Sequence, residues 1–417
     1  MTESPDSDHS VTYVAGSLIA GVFFGGFSGG VAFPTLPALG DVLGISALMV
    51  GVILALNRFT RLVMNAPAGG IIDRLGTRRP MVFGFLVQGL VPFGYLVGLD
   101  PEIVGLSSTT VFLLSRICWG VGSAFVFVGA FTTITHITET SNRGRWIGYM
   151  RGSQTIGFPA GLVVGGVVSD LVGFGEAFLV AGILGLLSGA VAALVVPDMT
   201  VEVTRTNSLR AVPSLVRADI RILAVSVINL AVRFLYAGIL LSTVVLYAQY
   251  YGIEIGPLSG TGASGVVMGV GVLGAGVTTI LAGRFSDRLD NRAVMAIPGL
   301  GTLGTGFLIL ALFPALPTLL IGISLVGVGV GVTNPPLLAF LGDLSPTTDV
   351  GKLGGVYNVF GDLGASLGPV VAVPMVTGLG FRIGYLACVV LVGLVVFVAL
   401  ALVKAGTAES LSSTGLA

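Results

Sequence analysis

Apolar runs of about twenty residues recur along almost the whole chain, and a run of that length is what an α-helix needs to cross roughly 30 Å of hydrocarbon. In that solvent every backbone N–H and C=O must find a partner within the protein, which leaves bundled helices or a closed barrel. The runs are too long for strands and lack their alternation, so helices are expected. Charged or Pro/Gly-rich breaks divide the chain into twelve spans, near 12–39, 46–72, 80–99, 108–134, 146–171, 176–196, 219–250, 262–284, 293–313, 316–341, 352–377 and 381–403. Composition points the same way. Of 417 residues 54% are hydrophobic and 10% charged, where soluble domains carry about a quarter charged, and mean hydropathy is +1.01. The expected class is an all-α membrane protein.

The longest hydrophilic interruption, Pro197 to Arg221, separates six spans from six. The organisation read from it is an N-terminal tail (1–11), a six-helix bundle (12–196), a linker (197–218), a second six-helix bundle (219–403) and a C-terminal tail (404–417). A single offset aligns Gly120 and Gly122 with Gly327 and Gly329, and Gly144, Arg145 and Gly148 with Gly351, Lys352 and Gly355. It also aligns Gly157 and Gly161 with Gly364 and Gly368. The halves therefore read as a repeat, two bundles related by a pseudo-two-fold axis.

With the N-terminus inside, most of the twenty Lys and Arg, among them Arg74, Arg78, Arg79, Arg143, Arg205, Arg284, Arg288 and Lys404, fall in cytoplasmic loops and tails. The opposite loops hold Asp41, Asp100, Glu102, Glu176 and Glu254. The positive-inside rule then places both termini of a multi-pass cell-membrane protein in the cytoplasm. The opening "MTESPDSDHS" lacks the basic region of a signal peptide, so the first span is expected to be retained.

Several function classes fall away. Formal net charge is zero and no basic stripe is interleaved with aromatics, which argues against nucleic-acid partners. The two histidines, His9 and His136, build no catalytic or metal cluster. Cys118 and Cys388 lie in apolar runs as packing residues. There is no G-x-x-x-x-G-K-[ST] string for ATP. Neither an enzyme nor a cofactor is expected.

Two charge clusters stand at the ends of apolar runs: "GGIIDRLGTRRP", Gly69 to Pro80, and "GRFSDRLDNR", Gly283 to Arg292. The first resembles the G-x-x-x-D-R-x-G-R-R loop of the major facilitator superfamily of transporters, through Gly69, Asp73, Arg74, Gly76, Arg78 and Arg79, with Thr77 as a departure. The second keeps Gly283, Asp287, Arg288 and Arg292 but has Asp290 where the turn glycine stands. "RICWGVG" in the fourth span and "GFPAGLVVGG" in the fifth are similar to further motifs of that family, and "GVAFPTLPALGDVLGIS" resembles its twelve-span drug:proton antiporters. The resemblance implies a gate in which Asp73 meets the N-terminus of the eleventh span, near Lys352, where the positive end of the helix dipole favours a carboxylate. The alternative is that these arginines are only topology charges.

Ionisable groups deep in a bilayer are functional candidates by default. The spans hold Arg58, Arg61, Arg116, Arg151 and Arg233 and, among acids, Asp362. Arg61 lies about 18 Å of helix from Asp73, and Asp362 about 16 Å from Gly351; given the gate, the two are expected to pair between bundles. Protonation of Asp362 would break that pair, which marks it for proton coupling, with a permanent packing pair as the alternative. Arg116 and Arg233, with Asn229 one turn from Arg233, belong to spans that line the central cavity in the family and suit an anionic substrate; packing or backbone bonding is the competing role. Phe23, Phe24 and Phe27 offer an apolar lining instead. Tyr247, Tyr250 and Tyr251 read as an outer aromatic belt. The glycines of the fifth and eleventh spans read as a sliding face, with close packing as the alternative.

The function expected is secondary transport by alternating access: a monomer in the lipid bilayer moving a small-molecule substrate, with the proton as coupling ion, in the direction of efflux. The alternatives are an anion transporter, for organic anion or nitrate-like uptake or exchange, and a non-transporting membrane sensor.

Overall fold

A computed structural model describes residues 5–139, 142–196, 219–344 and 350–413. Twelve helices among them are long and apolar enough to cross a membrane. In chain order they are α1 (Pro5–Val42), α2 (Ala47–Leu75), α3 (Arg78–Leu99), α4 (Ser108–Ile137), α5 (Arg143–Leu171) and α6 (Phe174–Val195). Then follow α7 (Ile220–Tyr250), α8 (Gly260–Ser286), α9 (Arg292–Leu312, opened by a 3-10 turn), α10 (Leu316–Asp343), α11 (Val350–Leu379) and α12 (Phe381–Ser413). Each expected span lies on one of them. Both α1 and α12 continue beyond their apolar runs into the segments read as tails, and the segment read as the linker, 197–218, lies outside the described residues.

Helix starts are marked by side chains that take up backbone donors with no partner in the helix. Ser46 Oγ accepts from Met49 N at 3.4 Å and Ser107 Oγ from Thr110 N at 3.3 Å. Asp219 accepts from Arg221 N at 2.8 Å before α7 and pairs with the Arg221 guanidinium at 2.6 Å. Partial burial works against the Asp219 charge, but the bonds from Arg221 outweigh it and hold the carboxyl below its ordinary range. The cap thus persists above the ordinary carboxylate range and weakens as pH falls through that lowered value.

Two compact units divide the chain. Unit 1 is Met1–Arg205 with Ile255–Val266, and unit 2 is Thr206–Glu254 with Val267–Ala417. The stretch leading into α8 joins unit 1 through Asp170, near the end of α5, which accepts from the Ser259 backbone N–H at 2.6 Å and from the Ser259 hydroxyl. Asp170 lies in the last turn of its span, whereas Asp362 stands mid-way along its own.

Apolar tails of lipid are no worse a neighbour for leucine than another helix, so close backbone approach supplies much of the cohesion, and glycine permits it. In unit 1 a methyl group on Gly157 or Gly161 would strike the carbonyls of Phe23 or Phe27, and one on Gly165 would stand 2.6 Å from Val31 Cα, so α5 lies backbone to backbone on α1. In unit 2 the aligned Gly364 and Gly368 meet the Leu230 carbonyl and Gly238 of α7 in the same way. The repeat extends further. Gly120 faces Asn57 O of α2 while its counterpart Gly327 faces Gly271 O of α8. Gly122 faces Gly84 O of α3 while Gly329 faces Gly299 O of α9. Aligned glycines touch corresponding helices of their own unit, so these faces are closely packed; Gly148 and Gly152 have no such neighbour within 4 Å.

The expected aromatic belt is also corrected in part. Tyr247 is fully buried, donates to Leu310 O at 2.8 Å and stacks on Tyr385, while Tyr250 is 71% exposed.

Gly364→Val places a branched side chain where only backbone fits. Overpacking of this kind costs about 1–3 kcal/mol or more, so the melting temperature of the detergent-purified protein should fall clearly, whereas Gly152→Val should leave it near the parent value.

Candidate functional site

Between α2 and α3 only Gly76 and Thr77 remain to reverse the chain. Gly76 has φ +77°, a conformation other residues adopt only with strain, which is why the first charge cluster needs glycine there. From this turn Arg78 donates to Ala193 O at 2.7 Å, in the last turn of α6, where unpaired carbonyls and the negative helix end attract a cation. Gly69 is buried, Arg74 and Arg79 are exposed, and Asp73 is half-buried among neighbours with which it interacts. The side chain of Lys352, at the helix start that the resemblance assigns to Asp73, lies outside the described residues.

The second cluster is built differently. Residues Asp287 to Asn291 form a longer loop, and among the described residues none other than glycine has positive φ, so Asp290 is not asked to replace a turn glycine. Arg292 bridges Asp287 at 3.3 Å and Asp343 at 3.5 Å, and Asn291 donates to Val403 O at 3.2 Å. Arg288 is exposed. The two loops match in composition and not in geometry.

Inside the membrane the arginines separate by how their charge is met. Arg116 is 1% exposed. Its guanidinium donates to Ile53 O at 3.0 Å, Leu54 O at 3.3 Å, Asn57 Oδ1 at 2.9 Å and Tyr95 Oη at 3.3 Å. That leaves one N–H of five, so Arg116 ties α4 to α2 and α3, and its expected cavity role gives way to packing. Phe27 is likewise 7% exposed in an apolar cluster with Val31, Ala177 and Ala181, so it packs α1 against α5 and α6. Arg58 lies 5.0 Å from the Phe33 ring centroid, a cation–π contact. Arg61 in unit 1 and Asp362 in unit 2 are both half-buried and each interacts with neighbouring groups. Arg151 is exposed, toward the cytoplasmic end of α5.

Unit 2 contains a polar cluster that sequence reasoning saw only through Asn229 and Arg233. Midway along α7, Phe234–Leu240 form a π-helix. The hydroxyls of Ser242 and Thr243 accompany the altered register by donating to Gly238 O at 2.5 Å and Ile239 O at 2.8 Å. Such π segments are frequent at functional sites. Immediately before it stands Arg233, exposed and without a hydrogen bond or ion pair among the described residues. Asn229, 1% exposed, donates its Nδ2 to Tyr357 O at 2.7 Å, and a Cβ on Gly361 would lie 2.7 Å from that nitrogen and 3.4 Å from Arg233 Cγ. The charge of Arg233 acts on the hydroxyls of both Tyr236 and Tyr357. Tyr357 in turn donates to Asn334 O at 3.1 Å. Asn229 Oδ1, Tyr236 Oη and Asn334 Oδ1 are buried with no hydrogen-bond partner. The unsatisfied atoms thus come from α7 and α10, and Tyr357 of α11 links the two.

A recess of about 410 Å³ between α3 and α4 is lined by Val87, Leu90, Leu114 and similar groups with little polar surface. Among the described residues no group of His, Cys, Asp and Glu is placed to hold a metal.

A family model, the Major Facilitator Superfamily, matches residues 18–275 and 258–415. The chain belongs to this superfamily. An uncharacterised MFS-type transporter of Methanocaldococcus jannaschii is 24% identical over 82% of this chain and 86% of its own length. Multidrug resistance protein 1 of Bacillus subtilis is 23% identical over 85% of this chain and 87% of its own. The crystal structure of the nucleoside transporter NupG, 12% identical, superimposes over 93% of this chain and 99% of its own with a TM-score of 0.78, a likeness of fold. This superfamily member is therefore a multi-pass membrane transporter, with a relative named for multidrug resistance.

For the facilitator fold, Arg116 is a structural post. Arg116→Ala strands Asn57 Oδ1 and empties a buried site, a loss on the order of 3–5 kcal/mol; folded yield and melting temperature should both collapse, with Arg116→Lys recovering only part.

Proposed function

We propose that the protein exports a small organic molecule in exchange for protons, as a monomer working by alternating access. The observation that carries this reading is Asp362, a half-buried carboxyl placed mid-way along α11 and next to Gly361, against which Asn229 of the polar cluster packs. An ionisable acid at that depth is costly unless its charge is used, and a carboxyl there can alternate between paired and protonated forms as the transporter cycles. The direction is supported by similarity to proteins named for multidrug resistance. Gly69, Asp73, Arg74, Gly76, Arg78 and Arg79 serve as the cytoplasmic gate in this reading, with Asp287 and Arg288 holding the equivalent ends in the second half. Arg61 is proposed as the cationic partner whose attraction Asp362 loses on protonation.

Proteoliposomes carrying the purified protein, a pH-sensitive internal dye and an imposed pH gradient test the coupling. With ethidium or fluorescein as cargo, the wild type should move protons and dye together, and Asp362→Asn should abolish dye-linked proton flux while dye binding persists. Coupled flux in Asp362→Asn equal to the wild type would remove the acid from the mechanism. In the same assay Asp73→Asn should insert normally and slow transport; an unchanged rate at equal protein would leave the loop as a topology signal only.

A further inference from the structure

We propose that Arg233 anchors a binding site for small organic anions that also carry a hydrogen-bond donor, with Asn229, Tyr236 and Asn334 completing it. This rests on the transporter reading above and names its substrate class. Arg233 stands thirteen residues into α7, about 20 Å of helix and past half the thickness of the hydrocarbon layer. An arginine at such depth needs its charge answered, by an acid, by carbonyls or by a ring. Arg116 has carbonyls and amides, and Arg58 has the Phe33 ring. Arg233 has neither a hydrogen bond nor an ion pair among the described residues, yet its side chain is exposed and its charge reaches two tyrosine hydroxyls. A guanidinium left open in this way presents a planar fork that matches a carboxylate or phosphate.

The neighbouring atoms refine the ligand. Because Asn229 Nδ2 is committed to Tyr357 O, the amide orientation is settled and Oδ1 is the free end, an acceptor. Asn334 Oδ1 is a second unpartnered acceptor, and Tyr236 Oη, in a side chain 7% exposed, is an unpartnered donor or acceptor. Buried polar groups in native proteins are nearly always satisfied, and those that are not call for a ligand or water. Two acceptors beside a cation suit a molecule with an acid group at one end and a hydroxyl or amine N–H within reach of it. A lipophilic cation without such groups would leave Arg233 opposed to a like charge. The π-helix supports the assignment, since it re-aims the residues following Arg233 at the point where the cluster forms.

Fluorescence polarisation on the detergent-purified full chain, without any gradient, decides it. Fluorescein at mildly acidic pH, where its monoanion keeps a phenolic O–H, serves as the anionic probe, salicylate as its competitor and ethidium as the cationic probe. The wild type should bind fluorescein, and salicylate should displace it. Arg233→Gln should weaken fluorescein binding about tenfold or more, as expected for loss of a hydrogen-bonded charge, with Arg233→Lys between the two. Should Arg233→Gln fail to fold, Tyr236→Phe decides alone. A purely structural Tyr236 hydroxyl with no partner predicts unchanged or higher thermal stability and unchanged binding, whereas a ligand contact predicts a loss of about threefold to tenfold with stability kept. Absence of fluorescein binding in the wild type overturns the site, as does wild-type affinity in a folded Arg233→Gln or, failing that, in Tyr236→Phe. The outcome is separable from proton exchange: fluorescein binding without coupled flux in proteoliposomes sinks the antiport and keeps the anion site, and coupled ethidium flux without fluorescein binding does the reverse.

Discussion

Backbone contact between helices, made possible by glycine, is the constraint on which the rest of this structure depends. In hydrocarbon there is no gain from hiding one apolar side chain behind another, so two helices hold together by how closely they approach and how well they interlock. The α1–α5 and α7–α11 pairs reach the limit of approach, where a single methyl group on Gly161 or Gly364 would meet a carbonyl oxygen. The same closeness sets the polar cluster. Asn229 can reach Tyr357 O because Gly361 leaves its amide room, and any side chain at 361 would push the two helices apart at the level of Arg233.

A second consequence concerns the backbone of α7. A π-helix inside a span carries poorer geometry than an α-helix and persists where something else uses the register it creates. Here Gly238, within the π segment, packs on Gly368, while Ser242 and Thr243 turn their hydroxyls onto its last carbonyls. Beyond it Thr243 meets Tyr385 at 3.0 Å, and Tyr247 joins the aromatic group of α12. The irregular segment is therefore fixed at both ends by packing, with Arg233 at its entry.

The twelve helices were legible because span length and hydropathy are physical demands of the bilayer, visible without any tertiary knowledge. Gly76 was legible as part of the family motif, and the structure supplies the reason, a two-residue reversal between helices at φ +77°. Arg116 and Phe27 were not: an arginine in an apolar run looks the same whether it grips a ligand or four groups on its neighbours, and only the positions of Ile53, Leu54, Asn57 and Tyr95 tell the two apart. Tyr236 and Asn334 were missed although signals existed. Tyr236 follows Arg233 by three residues, and Asn334 precedes the Pro335–Pro336 pair within α10, a break in a span of the kind that accompanies binding sites. The second charge cluster shows the opposite error. Its letters resemble the first, but without a glycine at 290 the chain takes a longer loop and spends its charges on Arg292 pairs.

The surplus of arginine over acid within the membrane looks, from composition, like a general affinity for anions. Resolved residue by residue, it is not. Each guanidinium answered by the protein itself is removed from the count of groups that can answer a substrate: Arg116 by carbonyls, an amide and a phenol, Arg58 by an aromatic face, and Arg61 by the neighbours it interacts with. Arg151 sits near enough to the cytoplasmic interface for its long side chain to reach water. What remains among the described residues is one deep cation, Arg233, near buried oxygens that also lack partners. Charge in a membrane protein therefore carries functional meaning in proportion to how little of it the fold has already neutralised, and among the described residues of this transporter that unmet charge stands in the middle of α7.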